Sequence, residues 1–393
     1  MEKLQIAVFG CWNKGCKINS GQHAVSRLLK SKETKYNFMV VLGDNYYPKK
    51  ETLNNVNNVN DVKIKIKLTE INTMHKGFDC IKDINLEKKI IMGNHDVTES
   101  LDKDCSVLRQ QLKLPWYDVK FPYSYDNYYV KTNSGYETIL FLYLDTTIYE
   151  KKINDGNSCY KQVLSKSVEE LKDEQLSFIT KKLNEITSSR NYNYKNVIFF
   201  GHEPLLTYKD NGDVQNTVIK ESIIKDLLYF LFKKKKDYPN LNFYWICADY
   251  HIYQNTKITH NGLEIIQWIF GTGGGDLDAP GMRNTYTHTY TNDNDSTDIK
   301  TYKVDILENI VYNREGIDIS SQYQRNGVAN YGYGEIIINL SSITHKFITT
   351  GLSENNSQSA SLELTTAEGG NYYNNKYLKY KNKHINLKNR LLK

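Results

Sequence analysis

Apolar residues in this chain come in short, dense runs separated by polar segments. Leu4–Phe9, Phe38–Leu42, Lys89–Met92, Thr138–Leu144, Val197–Phe200, Phe243–Cys247 and Glu264–Phe270 are rich in β-branched and aliphatic side chains. Runs of this length without polar alternation predict strands buried on both faces. Helical spacing falls between them. Ser20 stands where it can cap a helix carrying Ala24, Val25, Leu28 and Leu29. A second helical pattern joins Leu176, Ile179, Leu183 and Ile186, and a third joins Ile219, Ile223, Ile224, Leu227, Leu228 and Leu231. Strands alternating with helices predict an α/β architecture. The polar, Asn/Lys/Tyr-rich segments 48–88 and 98–135 read as insertions or rim loops, and 320–350 reads as a strand pair centred on Glu335–Leu340. One domain over 1–352 is therefore expected, followed by a mobile polar tail over 353–393.

Composition narrows the picture without deciding it. At 393 residues the chain can bury a large core. Its net charge of +6 is mild and scattered, which weighs against nucleic acid as a partner. The densest basic run, Lys233–Lys236, reads as a solvated helix end. The apolar run at the start is a strand, too short for a signal peptide, and no stretch reaches the length of a membrane span. The six cysteines (11, 16, 80, 105, 159 and 247) make no disulfide framework and include no CxxC pair; with no secretion signal visible, reduced thiols and a cytoplasmic location are expected.

The chemistry lies where the strands end. Five of them run into a small residue and then polar groups: FGCWN (9–13), LGDNYY (42–47), MGNHD (92–96), FGHEP (200–204) and CADYHIYQ (247–254). Glycine or alanine there lets the backbone bend sharply, and sites in α/β sheets form at the carboxyl ends of strands. Asp44, Tyr47, Asn94, His95, His202, Asp249 and His251 all carry oxygen or nitrogen donors suited to metal ions.

This ordered set resembles the calcineurin-like metallophosphoesterases, and within them the purple acid phosphatase-like branch. GDNYY, GNHD and GHEP match that family's second to fourth motifs, and the tyrosine in GDNYY is the mark of the purple branch. The resemblance covers roughly residues 3–275 and implies a four-layer αββα sandwich of two mixed sheets flanked by helices. It further implies a dinuclear centre, iron paired with zinc, manganese or iron. Asp44 would bridge the two ions, and Tyr47 and His251 would bind the first. Asn94 and His202 would bind the second, and His95 would face the phosphoryl group. The implied activity is metal-dependent hydrolysis of phosphate esters, with a small phosphomonoester as substrate. Two metal ions about 3.5–4 Å apart neutralise phosphate oxygens and lower the pKa of a bound water toward ~7. His95 can then steady charge or protonate the leaving oxygen.

Two positions depart from the family pattern. Cys11 stands where the first Asp belongs, and Asp249 where the first His of GHxH belongs. A thiolate at Cys11 would be a softer ligand, better matched to zinc or ferrous iron than to ferric iron. Cys11 also reads as a small buried apolar residue, and Asn13 as a weaker substitute donor or a turn residue. The same departures motivate one alternative, a degenerate member of the fold acting as a binding or scaffold protein; a second, a phosphodiesterase or nuclease, is allowed but not favoured by the mild positive charge. GTGGGD (271–276) lacks the Lys-Ser/Thr of a P-loop and reads as a tight turn at the rim. Asp145, in LDTT (144–147), reads as a structural or supporting group.

Overall fold

The structure is a computed structural model, and the fold is described for residues 3–13, 16–18, 20–47, 59–98, 104–132, 135–188, 193–210, 219–275, 285–292, 295–309, 330–339 and 342–353. In chain order the strands are β1 (Leu4–Phe9), β2 (Phe38–Leu42), β3 (Glu87–Ile91), β4 (Asp118–Val119), β5 (Tyr123–Thr132), β6 (Gly135–Leu144), β7 (Asn193–Phe200), β8 (Leu206–Asp210), β9 (Ile219–Ile223), β10 (Asn242–Cys247), β11 (Tyr253–His260), β12 (Leu263–Phe270), β13 (Thr285–Asn292), β14 (Asp295–Asn309), β15 (Asn330–Ile338) and β16 (Ile343–Ser353). The helices are α1 (Gly21–Lys32), α2 (Val59–Lys82), α3 (Asn94–Thr98), α4 (Ser106–Gln111), α5 (Tyr160–Leu164), α6 (Val168–Ser188) and α7 (Lys225–Asp237).

Among the described residues, one sheet runs β16-β15-β1-β2-β3-β4 and a second runs β13-β14-β11-β12-β10-β7-β6-β5. β1 to β4 are parallel, as are β6, β7, β10 and β12, while the outer strands pair antiparallel. Apolar side chains on both faces of the central strands explain the layering. Ile6, Val8, Val40 and Leu42 pack between the sheets against Phe141, Ile198, Phe200 and Phe270. The opposite faces carry Ala7, Phe9, Met39 and Val41 toward Val25, Leu29, Met74 and Phe78 of α1 and α2. On the far side, Leu142, Phe199 and Trp245 share a core with Leu171, Ile179, Leu183, Leu227, Leu228 and Leu231 of α6 and α7. Helix, sheet, sheet, helix is the predicted αββα sandwich of two mixed sheets.

Several expectations change. The segment read as a 48–88 insertion contains α2, whose Met74, Phe78 and Ile81 are buried at helical spacing. The 98–135 segment contains α4, β4 and β5, and its tyrosines form an edge strand paired along β6. The helix predicted from Ile219 begins only at Lys225, because Ile219–Ile223 pairs with β8 as a two-stranded ribbon. Lys235 is buried rather than solvated, its ammonium bonded to the carbonyls of Pro239 and Leu241. Most consequential, the thiols are not all reduced: Cys16 pairs with Cys80 and Cys105 with Cys159. Partners 64 and 54 positions apart leave no local spacing signature. No helix among the described residues is long and apolar enough to cross a membrane. The tail predicted beyond 353 and Asp276 lie outside the described residues.

Candidate metal centre

Parallel strands from both sheets point their carboxyl ends to one edge, and the predicted donors sit on the turns that follow. The two sheets come together closely there. Gly10 donates its N–H to Phe270 O, and a Cβ on Gly10 would meet the Ala248 Cβ at 2.5 Å, so only glycine fits. Cys11, Asp44 and Asp249 adopt left-handed backbone with φ of 53°, 52° and 51°. Non-glycine residues occupy that region at a cost, and such strain concentrates at functional sites.

The donors converge. Ligand atoms of Cys11, Asp44 and His202 lie within 4.8 Å of one another, and all three residues are buried. Tyr47 Oη donates to Asp44 Oδ2 at 2.8 Å and lies 3.0 Å from His251 Nε2. His202 Nε2 lies 3.1 Å from Asp44 Oδ1 and 3.8 Å from Asp249 Oδ1. The Cys11 thiol donates to the backbone carbonyl of Asp249. His95 donates its backbone N–H to Asp44 Oδ1 at 3.3 Å, and its half-buried ring lies 4.7 Å from that of Tyr47. Asn94 follows Gly93, where a Cβ would fall 2.6 Å from Asp44 Oδ1. Chain positions 11, 44, 47, 94, 95, 202, 249 and 251 therefore meet in one place. Asn13, in contrast, gives its amide N–H groups to the carbonyls of Asn45 and Met74 and packs on Gly77, which docks α2.

Two atoms test whether this set suits a cation. Asn94 Oδ1 is buried and has no hydrogen-bond partner. A buried amide oxygen left this way carries a desolvation cost that an ion would remove. His202 Nδ1 lies 2.6 Å from Leu42 O, an acceptor only, so the proton belongs on Nδ1. A histidine oriented by a backbone carbonyl through one nitrogen is the usual support for a metal ligand at the other. The donor set of one thiol, two carboxylates, a phenol, an amide and two imidazoles fits metal ions.

Without a cation the same groups perturb one another strongly. Burial opposes the charge on Asp44, but His202, His95 and His251 together hold its carboxyl below the usual carboxylate range. Burial likewise opposes a charged His202, yet Asp44, Glu203 and Asp249 raise it well above the ordinary imidazole value. Burial, Asp44 and Glu150 push the Asp249 carboxyl up. Tyr47 is raised well above 10 by burial and by Asp44 and Cys11, so its phenol stays neutral unless a cation claims it.

The groups that hold these turns have no signal of their own in the sequence. Thr146 Oγ1 accepts the N–H groups of both His202 and Glu203 at 2.9 Å and donates to the Glu203 carboxylate. Thr147 also donates to Glu203, at 2.7 Å. Asn45 and Asp96 link three of the turns. All were visible inside the motifs, in LDTT, GHEP, GDNYY and GNHD, but their residue types do not distinguish them from ordinary turn residues. The glycine-rich 271–275 segment lies against the site: a Cβ on Gly275 would meet His251 Cε1 at 2.8 Å.

No protein-family profile matches the chain, and no curated protein matches it in sequence. Solved structures do. One is GAP50, the anchor in the inner membrane complex of Plasmodium, at 15% identity and a TM-score of 0.51, covering 90% of this chain and 87% of that one. Another is PhoD, at 9% identity and a TM-score of 0.44, covering 88% of this chain and 69% of that one. The likeness to GAP50 is one of fold.

Proposed function

We propose that this chain is a metal-dependent hydrolase of phosphate esters, acting on phosphomonoesters. The observation that carries the proposal is the meeting of Asp44 with Cys11, Tyr47, His202, Asp249 and His251; the turn against Asp44 also carries Asn94, whose side-chain oxygen is buried and has no partner. Asp44, Tyr47, His251 and Cys11 would hold one cation, and Asn94, His202 and Asp249 a second. Asp44 has two oxygens to offer both. The bound ions would supply a nucleophilic water at neutral pH and neutralise phosphate oxygens. The thiol favours zinc or ferrous iron, with manganese or iron as partner metals. The protein's own part is to hold donors at fixed spacing and to manage protons. His95 stands beside Tyr47 and is half exposed, able to face a phosphoryl group and to protonate the leaving oxygen. With Cys11, Asp44, Tyr47 and Asp249 all anionic, the site is more negative than in the family pattern, so activity should require a higher pH than in acid phosphatases.

Metal analysis of the purified chain, with p-nitrophenyl phosphate turnover of wild type and Asp44→Asn, tests this. Metal content with turnover that Asp44→Asn abolishes is the expected result. Metal without turnover on mono- or diesters would sink the hydrolase reading. The second reading would then stand: a chain that keeps the fold and acts as an anchor or scaffold. Cys11 and Asp249 favour it, and so does the fold shared with GAP50, itself described as an anchor. Cys16–Cys80 and Cys105–Cys159 argue for an oxidising compartment in place of the cytoplasm.

A further inference from the structure

Three of the turns that carry donors are tied together by two buried side chains outside the donor set. From this we infer that Asn45 and Asp96 are positioning residues that set the spacing of Cys11, Asp44 and Asn94; the inference rests on reading those three as metal ligands. Asn45 is 0% exposed and Asp96 3%. Asn45 follows Asp44 directly, and its amide is fully used. Nδ2 donates to Ile91 O at 2.8 Å and to Asp96 Oδ2 at 3.1 Å, while Oδ1 accepts the Trp12 indole N–H at 3.1 Å. Its backbone oxygen accepts from Asn13 at 2.7 Å, and its backbone N–H donates to Asp96 Oδ2 at 3.1 Å.

Asp96 completes the link. Its Oδ2 also accepts the Gly93 N–H at 2.8 Å, and its Oδ1 accepts from Gln111 of α4 at 2.9 Å. The turn after β1 (Trp12, Asn13) is thus bonded to the turn after β2 (Asn45), and that turn to the one after β3 (Gly93, Asp96). Each lies one or two residues from a donor. The amide has only one workable orientation, since a flip would set its oxygen against Ile91 O and the Asp96 carboxylate. Cys11 and Asp44 lie in left-handed backbone, which side chains other than glycine's resist. Without tethers, these two turns would relax toward other conformations and carry the thiol and carboxylate apart.

Cobalt(II) titration of the full chain reads both affinity and the thiolate-to-cobalt absorption band that reports Cys11. Alkylation of the metal-free chain under non-reducing conditions compares Cys11 with Cys247, the other cysteine outside the disulfides. Cys247 is buried on β10 and reports global opening. Asn45→Ala and Asn45→Asp should weaken cobalt binding about tenfold to a hundredfold, the range found for partners of metal ligands. They should also shift the band and raise Cys11 alkylation relative to Cys247. Asp96→Ala, which removes the acceptor of the Gly93 and Asn45 N–H groups, should weaken binding to a similar degree. Trp12→Phe, removing one bond, should show a smaller effect. Unchanged affinity with an unchanged thiol ratio overturns the inference, as does a parallel rise in both thiols, the mark of a merely structural role. If the wild type takes up no cobalt, the metal reading fails, and the thiol ratio alone decides whether these residues hold the turns.

Discussion

Replacing Asp44 by Asn should destabilise the metal-free protein by about 3–5 kcal/mol near pH 6 and by much less at high pH. Asp44 and His202 are both buried, with Oδ1 and Nε2 3.1 Å apart. Attraction at that separation is about 5 kcal/mol at an effective dielectric constant near ~20. Removing one member of a buried pair leaves the other charge uncompensated, at a measured cost of about 3–5 kcal/mol. The pH dependence follows from the two shifts. His202 is raised, so its share is complete below its unfolded pKa of about 6.5 and disappears as pH rises through the folded value. Asp44 is lowered, so its share is present above its unfolded pKa of about 3.9 and disappears as pH falls through the folded value. The pair therefore contributes fully between about pH 4 and about pH 6.5. Urea unfolding of both proteins in chelator, from about pH 5 to about pH 9, measures the difference. A gap that is flat across that range, or below about 1 kcal/mol at pH ~6, would refute the argument. Zinc at about a hundred times its Kd should then stabilise the wild type by about 2.7 kcal/mol, and Asp44→Asn by less.

Other outcomes follow from the same packing. Burial pushes the Asp145 carboxyl up to about 7, against the hydrogen bond from the Thr147 N–H. Its folded pKa is above the unfolded one, so stability falls as pH rises from about 4 to about 7, by at most about 4 kcal/mol. Asp145→Asn should flatten that slope, seen as a smaller change in urea midpoint between acid and mildly alkaline buffer. Gly93→Ala would put a Cβ 2.5 Å from the Asp44 N and 2.6 Å from its Oδ1. Because the opposing atoms include backbone, this should cost about 1–3 kcal/mol and reduce bound metal by elemental analysis. Cys16→Ser with Cys80→Ser opens a crosslink spanning 64 positions, worth about 4 kcal/mol by loop entropy. Thermal unfolding with and without reductant checks the value: reductant should lower the wild-type midpoint further than that of the double variant, which keeps only Cys105–Cys159.

The central strands were legible because a buried parallel strand is written in its own residues: β1 and β2 match their apolar runs end to end. Helix α2 was not, since the Asn- and Lys-rich stretch before it hides the Met74, Phe78 and Ile81 stripe. Ile219–Ile223 misled in the opposite direction. Its spacing continues that of α7, but pairing with β8 took priority over local pattern. The disulfides had no local mark at all.

At the site, residue types and their order were set down along the chain: an amide, carboxylates, a phenol and imidazoles, each after a strand and a small residue. These depend on near neighbours, which one dimension can record. Tertiary structure alone decided that the Cys11 thiol meets Asp44 and His202, that Asn13 turns to α2, and that Asn45 and Asp96 join three turns. Contacts across such separations depend on how two sheets stack and where their edges coincide, and no stretch of sequence holds both sides of them.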